Sequence, residues 1–133
     1  MEDTYDLVLL IDDNEIDNII HQMVMDRIGF ANNTITYQSV EDAIKYLKKS
    51  GKGKKKIPEI ILLDLIMPVE NGFVFLDEFE KLPDSIKMNT KIVVITHSID
   101  ERDQVKSLTN KNVSYFIDKP LTIEKLELLA ETI

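Results

Sequence analysis

Five short apolar runs, separated by longer amphipathic stretches, constrain this chain more than any other feature. Leu7-Val8-Leu9-Leu10-Ile11 is continuous and apolar. Thr34-Ile35-Thr36-Tyr37 is β-branched and aromatic. Ile60-Ile61-Leu62-Leu63 and Ile92-Val93-Val94-Ile95 repeat the first pattern, and Tyr115-Phe116-Ile117 is the fifth run. Runs this apolar suit strands buried on both faces, as in a parallel sheet. The stretches between them read as helices. Ile16, Ile19, Ile20, Met23 and Val24 fall at helical spacing, with Gly29 as a stop. Val40, Ala43, Ile44 and Leu47 mark a second helix, with Ser39 as N-cap and Glu41 and Asp42 in its first turn. Phe73, Leu76 and Phe79 suggest a third. Residues 100–109 give a mostly polar fourth, anchored by Val105 and Leu108. Ile123, Leu126, Leu129, Ala130 and Ile133 form a final stripe behind a Thr122 cap. The order is βαβαβαβαβα, and right-handed crossovers of this kind cover both faces of a parallel sheet.

A chain of 133 residues fits one domain. With no repeat and no linker, a single domain over 1–133 without an output domain is expected. The absence of cysteine excludes disulfides, cysteine zinc sites, iron–sulfur clusters and thiol catalysis, and two histidines are too few for a histidine-rich metal site. The longest apolar run, Leu7–Ile11, is far short of the ~20 residues a spanning helix needs. Glu2 and Asp3 are not the basic start of a signal peptide. The chain therefore reads as soluble and cytoplasmic. Its formal charge is −8, and the imbalance is deeper than that, because 6 of its 16 basic residues lie in the run 48–56. An acidic body repels nucleic acid and anionic membranes, and the Gly-interrupted lysine run, which lacks aromatics, reads as a solvated loop.

In open α/β sheets, ligands bind beyond the carboxyl ends of the strands. The first run ends at Asp12-Asp13, the third at Asp64, the fourth at Thr96 and the fifth at Asp118-Lys119-Pro120. Taken singly these are ordinary residues: Asp12-Asp13 an N-cap pair, Thr96 a turn residue, Lys119-Pro120 a strand exit. If the strands are neighbours, they converge on one rim. Three converging carboxylates repel one another by about 4 kcal/mol per pair at ~4 Å and an effective dielectric of ~20. A hard divalent cation such as Mg²⁺ or Mn²⁺ offsets this, and Lys119 adds a further positive charge. A carboxylate in that setting can accept a phosphoryl group.

The motifs Ile11-Asp12-Asp13-Asn14, Leu63-Asp64-Leu65-Ile66-Met67-Pro68 with Asn71-Gly72, Val94-Ile95-Thr96 and Lys119-Pro120 together resemble those of response-regulator receiver domains, over essentially the whole chain. The resemblance implies a doubly wound, five-stranded sheet of flavodoxin-like order 2-1-3-4-5. It implies that Asp64 is the phosphoacceptor, and that Asp13, Asp64 and the main-chain carbonyl of Ile66 ligate Mg²⁺, with Asp12 acting through a metal-bound water. By the same resemblance Lys119 pairs with the phosphoryl group, Thr96 turns its hydroxyl to it, and the Lys119–Pro120 bond is cis. The donor would be a sensor histidine kinase or another phosphorelay protein. Signal would leave through the face formed by residues 100–110, 114–118 and 122–132 to a downstream protein, with the chain a monomer or a phosphorylation-dependent dimer. Such a protein is a phosphoacceptor and not a turnover enzyme.

Two positions depart from the commonest pattern. Phe116 stands where the switch aromatic is frequently Tyr, with Tyr115 pointing to the other face of its strand. His97 follows Thr96, where family members usually carry something small, and its ring is expected to modulate access to the phosphoryl site. Three other readings compete. A phosphorylation-silent binding module would usually have lost the acidic pair or the acceptor. A haloacid-dehalogenase-like phosphatase would need an acid where Ile66 stands, and a cap domain. A histidine phosphotransfer protein would use His21, which here reads as a solvated helix residue, and would need a helical bundle.

Overall fold

The computed structural model describes residues 4–65, 67, 71–97 and 101–133. In chain order its elements are β1 (Tyr5–Ile11), α1 (Glu15–Arg27), β2 (Ala31–Tyr37), α2 (Val40–Gly51), β3 (Ile60–Asp64), α3 (Gly72–Glu80), α4 (Asp84–Lys87), β4 (Lys91–Thr96), α5 (Glu101–Leu108), β5 (Val113–Asp118) and α6 (Ile123–Thr132). The strands are all parallel, in the order β2-β1-β3-β4-β5. The architecture is thus the five-stranded doubly wound sheet anticipated from the sequence, with one short extra helix. α4 follows Pro83, whose fixed φ suits the start of a helix.

Strand alternation divides the core in two. Leu7, Leu9, Ile11, Ile61, Leu63, Ile92 and Val94 pack toward α2, α3 and α4. Val8, Leu10, Ile60, Leu62, Val93, Ile95 and Ile117 pack toward α1 and α6. β3 is buried at every residue, as a central parallel strand must be. β2 is not: it is an edge strand, and Asn32, Asn33 and Thr36 lie exposed on it.

The helix caps follow their sequence signals. Ser39 and Thr122 each accept a hydrogen bond from the third amide of the following helix. α1 ends at Arg27, two residues before Gly29, which adopts φ +64°, a conformation glycine takes without steric cost.

The inward face of α1 differs from expectation. Ile16 and Met23 are each 65% exposed, and Ile19 and Ile20 are exposed as well. The buried residues are Asn18, His21 and Met25. At ~100° per residue these three lie on the side of the helix opposite the isoleucines. Asn18 sets this rotation, because its Nδ2 donates to the carbonyl of Asp12 at 2.9 Å and to that of Tyr37 at 3.5 Å. His21 is therefore a core residue, not the solvated one expected.

α5 is also less embedded than its pattern implied. Val105 and Leu108 are exposed, and Ser107 is its buried residue. One visible tie to the body is the Lys106 ammonium, 4.2 Å from the centroid of the Phe73 ring on α3.

The lysine run is only partly a loop. Lys48 and Lys49 lie in the last turn of α2, where cations interact favourably with the negative end of the helix dipole. The chain then folds back, so that the Lys56 carbonyl accepts from Tyr46 Oη at 2.7 Å and from Ser50 Oγ at 3.0 Å, and the Lys56 ammonium pairs with Asp6. Lys52, Lys54 and Lys55 are exposed, at the amino end of the sheet.

Candidate functional site

Sheet register brings the polar strand ends together. Ile11 pairs with Leu63 and Asp64 with Ile95, so Asp12 and Asp64 leave adjacent strands side by side and Thr96 follows on the next. An irregularity near Ile92 and Val93 gives β5 one extra residue, which aligns Thr96 with Asp118 and sets Lys119 just beyond. The Lys119 amide then donates to the Thr96 carbonyl at 2.7 Å, and the Lys119–Pro120 bond is cis, as the resemblance implied.

Asp12 and Asp13 do not cap α1. Asn14 does, accepting from the amides of Ile16 at 2.9 Å and Asp17 at 3.1 Å. The two carboxylates are thereby left for the site. Asp12 is held in place at both ends: its Oδ1 accepts from the Asn14 amide at 2.9 Å, and its carbonyl accepts from Asn18. On the other side of Asp64, the Gly72 amide donates to the Leu65 carbonyl at 2.9 Å. A Cβ on Gly72 would stand 2.7 Å from Leu65 Cα and 2.8 Å from the Asp64 carbonyl oxygen, so only glycine lets α3 approach the end of β3 this closely. Asn71 caps that helix, accepting from the Phe73 amide at 2.7 Å.

Asp12, Asp64 and Thr96 are all buried. The Lys119 ammonium donates to Asp12 Oδ2 at 2.8 Å, to Asp17 Oδ2 at 2.8 Å and to Asp64 Oδ2 at 3.3 Å. Burial works against its charge, but the bonds to Asp12 and Asp17 and the charge of Asp64 outweigh it and hold Lys119 above the usual lysine range. Lys119 in turn holds Asp17 below the usual carboxylate range, against its partial burial. Asp13 is pushed the other way, up, by burial and by the neighbouring Asp12.

Asp12, Asp13 and Asp64 each offer a carboxylate oxygen within 4.8 Å of the others. Hard oxygen donors in a compact set fit Mg²⁺ or Mn²⁺, and the raised Asp13 is the kind of carboxylate whose charge a cation would stabilise. The Thr96 hydroxyl is buried with no hydrogen-bond partner among the described residues. Such a group is costly unless something arrives to bond it.

The sequence anticipated Asp12, Asp13, Asp64, Thr96 and Lys119, and these five converge. It missed Asp17, because the first turn of α1 was read for capping and for its apolar stripe. His21 is buried on the same helix, where burial and the Lys119 charge hold its imidazole below its ordinary proton affinity. His97 is exposed directly after Thr96, close enough for its charge to bear on Asp17. Phe116 is half-buried toward the α2–α4 side and Tyr115 toward the other, as strand alternation required. Ile66, expected to offer its carbonyl to the metal, and Pro68 lie outside the described residues.

Comparison with known proteins gives a consistent picture. A family model described as the response regulator receiver domain matches residues 8–131. A probable methanogenesis regulatory protein of Methanothrix harundinacea (strain 6Ac) is 29% identical over 128 residues, spanning 96% of this chain and 80% of that protein. A two-component response regulator of Arabidopsis thaliana is 28% identical over 118 residues, spanning 89% of this chain and 76% of that protein. The crystal structure of a two-component response regulator from Cytophaga hutchinsonii superposes with a TM-score of 0.86 at 29% identity, covering 97% of this chain and 96% of that one. Among the described residues no helix is long and apolar enough to cross a membrane.

Proposed function

The chain belongs to the response-regulator receiver domains of two-component signalling, and from that membership we propose that Asp64 accepts a phosphoryl group from a phosphohistidine of a sensor kinase or phosphorelay protein. The observation that carries this reading is the buried Thr96 hydroxyl, which has no hydrogen-bond partner among the described residues and is set on the same rim as Asp64 and Lys119. A phosphoryl group on Asp64 brings three acceptor oxygens, and Thr96 and Lys119 are the donors positioned to meet them. The complete set of five groups argues against a silent binding module.

Each residue has a role in this reading. Asp64 attacks phosphorus in line as the bond to the donor nitrogen breaks. Lys119 stabilises the charge that gathers on the equatorial oxygens. Asp12 and Asp13, with Asp64, would hold Mg²⁺ or Mn²⁺, which supplies positive charge beside the transferred group. Thr96 reports the modification by turning its hydroxyl to the new oxygens, and Phe116 packs inward in response. His97, at the exposed mouth, modulates access by small donors and water. The protein is thus a phosphoacceptor that assists its own chemistry and not a turnover enzyme.

The partner surfaces are part of the same proposal. The exposed apolar side of α1, Ile16, Ile19, Ile20 and Met23, flanks the acidic rim and suits a helical donor protein. The output surface is the α5, β5 and α6 face, where α5 is loosely held and can be repositioned.

Intact mass after incubation with phosphoramidate and Mg²⁺ tests the chemistry. One phosphoryl adduct is expected, lost in Asp64→Asn and in EDTA. An adduct that survives the Asp64→Asn change overturns the assignment of the acceptor. No adduct, in the wild type and in His97→Ala alike, overturns the reading as a whole.

A further inference from the structure

Asp17 stands apart from the other acids around Lys119. It neither ends a strand nor belongs to the group of carboxylates placed to share a cation. It comes from the first turn of α1, and the Asn14 side chain already caps that turn, so the Asp17 carboxylate is not needed to start the helix. Yet it reaches across to Lys119 at 2.8 Å, as close as Asp12 and closer than Asp64 at 3.3 Å. An ammonium has three N–H donors. In this state all three are directed to carboxylates, and the longest of the contacts is the one to Asp64.

The three acids are not equally easy to leave. The Asp12 and Asp64 side chains are almost fully buried, whereas that of Asp17 is 28% exposed. A buried carboxylate deprived of its cation is strongly destabilising, while a partly exposed one regains water. When a phosphoryl group arrives with roughly −1.5 to −2 charges, Lys119 must release one partner to bond it. Asp17 is the partner released at least cost.

Resting on the assignment of Asp64 as phosphoacceptor, we propose that Asp17 is a positioning residue that acts through Lys119, drawing its ammonium toward α1 in the unmodified protein and ceding it to the phosphoryl group. Asp17 also adds negative charge at the mouth that an anionic donor must approach. Both effects oppose phosphorylation, so Asp17 sets how readily the site is charged. The transfer itself is unaltered. With phosphoramidate protonated at nitrogen, the P–N bond breaks, the bond from an Asp64 carboxylate oxygen to phosphorus forms, and ammonia leaves.

The test is the second-order rate of phosphorylation by phosphoramidate at saturating Mg²⁺, read by intact mass, in wild type, Asp17→Asn, Asp17→Ser and Asp17→Glu. Removing the charge in either neutral variant should raise this rate on the order of tenfold. Asp17→Glu, which restores the carboxylate, should return it toward wild type, a rescue that a merely structural role for Asp17 would not produce. An unchanged or lower rate in both neutral variants overturns the inference while leaving Asp64 as the acceptor. A wild type that forms no adduct removes the parent reading and this one with it.

Discussion

The backbone amide of Lys119 donates to the carbonyl of Thr96 at 2.7 Å, and this bond fixes the ammonium-bearing loop to the strand end that carries a buried hydroxyl with no partner among the described residues. The two residues therefore form one corner of the site. A hydroxyl buried without a partner costs about 1–3 kcal/mol relative to one that is bonded. Thr96→Val keeps the shape and removes the orphan. It should raise the stability of the unmodified protein by about 1 kcal/mol in urea unfolding, while the same variant, once phosphorylated, no longer shows altered amide exchange in α5 and β5. A destabilised Thr96→Val protein would show that the hydroxyl is already satisfied.

His21 gives the fold a dependence on mild acid. Burial, reinforced by the charge of Lys119, holds its imidazole below the ordinary value of 6.5. The unfolded chain therefore binds more protons than the folded one as pH drops below 6.5, and stability falls from there until pH passes the lowered folded value. His21→Gln is neutral at every pH and lacks this component. Its urea midpoint should decline less than that of the wild type between about pH 7 and pH 5. Parallel declines in the two proteins would mean that His21 is protonated in the folded state as readily as in the unfolded one.

The outward side of α1 should be nearly silent in stability and audible in partner recognition. Ile16 and Met23 are mostly in water already. Ile16→Gln and Met23→Gln should each change unfolding free energy by no more than about 0.5 kcal/mol. Transfer from a cognate kinase should slow markedly in both, while phosphorylation by phosphoramidate, which needs no docking, stays as in the wild type. A loss of stability as large as that of a core truncation would instead place these residues inside the fold.

Why the sequence disclosed some of this and not the rest follows from what each signal measures. The central strands β1, β3 and β4 were legible because they are buried on both faces and so carry almost no polar residue to blur them; Ile60–Asp64 is the clearest case. The strand-end residues were legible because parallel strands that are neighbours put their last residues on one rim, and the resemblance implied that these strands are neighbours. Periodicity, however, counts apolar residues, and α1 spends its buried side on Asn18 and His21. Its apolar stripe faces the solvent, so counting pointed to the wrong side. Asn18, His21 and Met25 recur at helical spacing, and that was the signal available for the true inner face. Asp17 could be found only once the Asn14 cap was seen to occupy the role an acid in a first turn usually plays. The short α4 was hidden because four residues hold too little pattern to register.

The sparse seating of α5 changes what a small force can accomplish. A hydrogen bond to a charged group is worth about 1.5–3 kcal/mol, a ten- to hundredfold change in a population ratio. Applied to a helix wedged into the sheet as α2 is, with most of its apolar side chains buried, that sum would be absorbed without visible effect. Applied to a helix whose one fully buried residue is a serine and whose Lys106 rests on a phenyl ring, it is a far larger share of what seats the helix. The leverage of the site thus resides in the weakness of the element beside it.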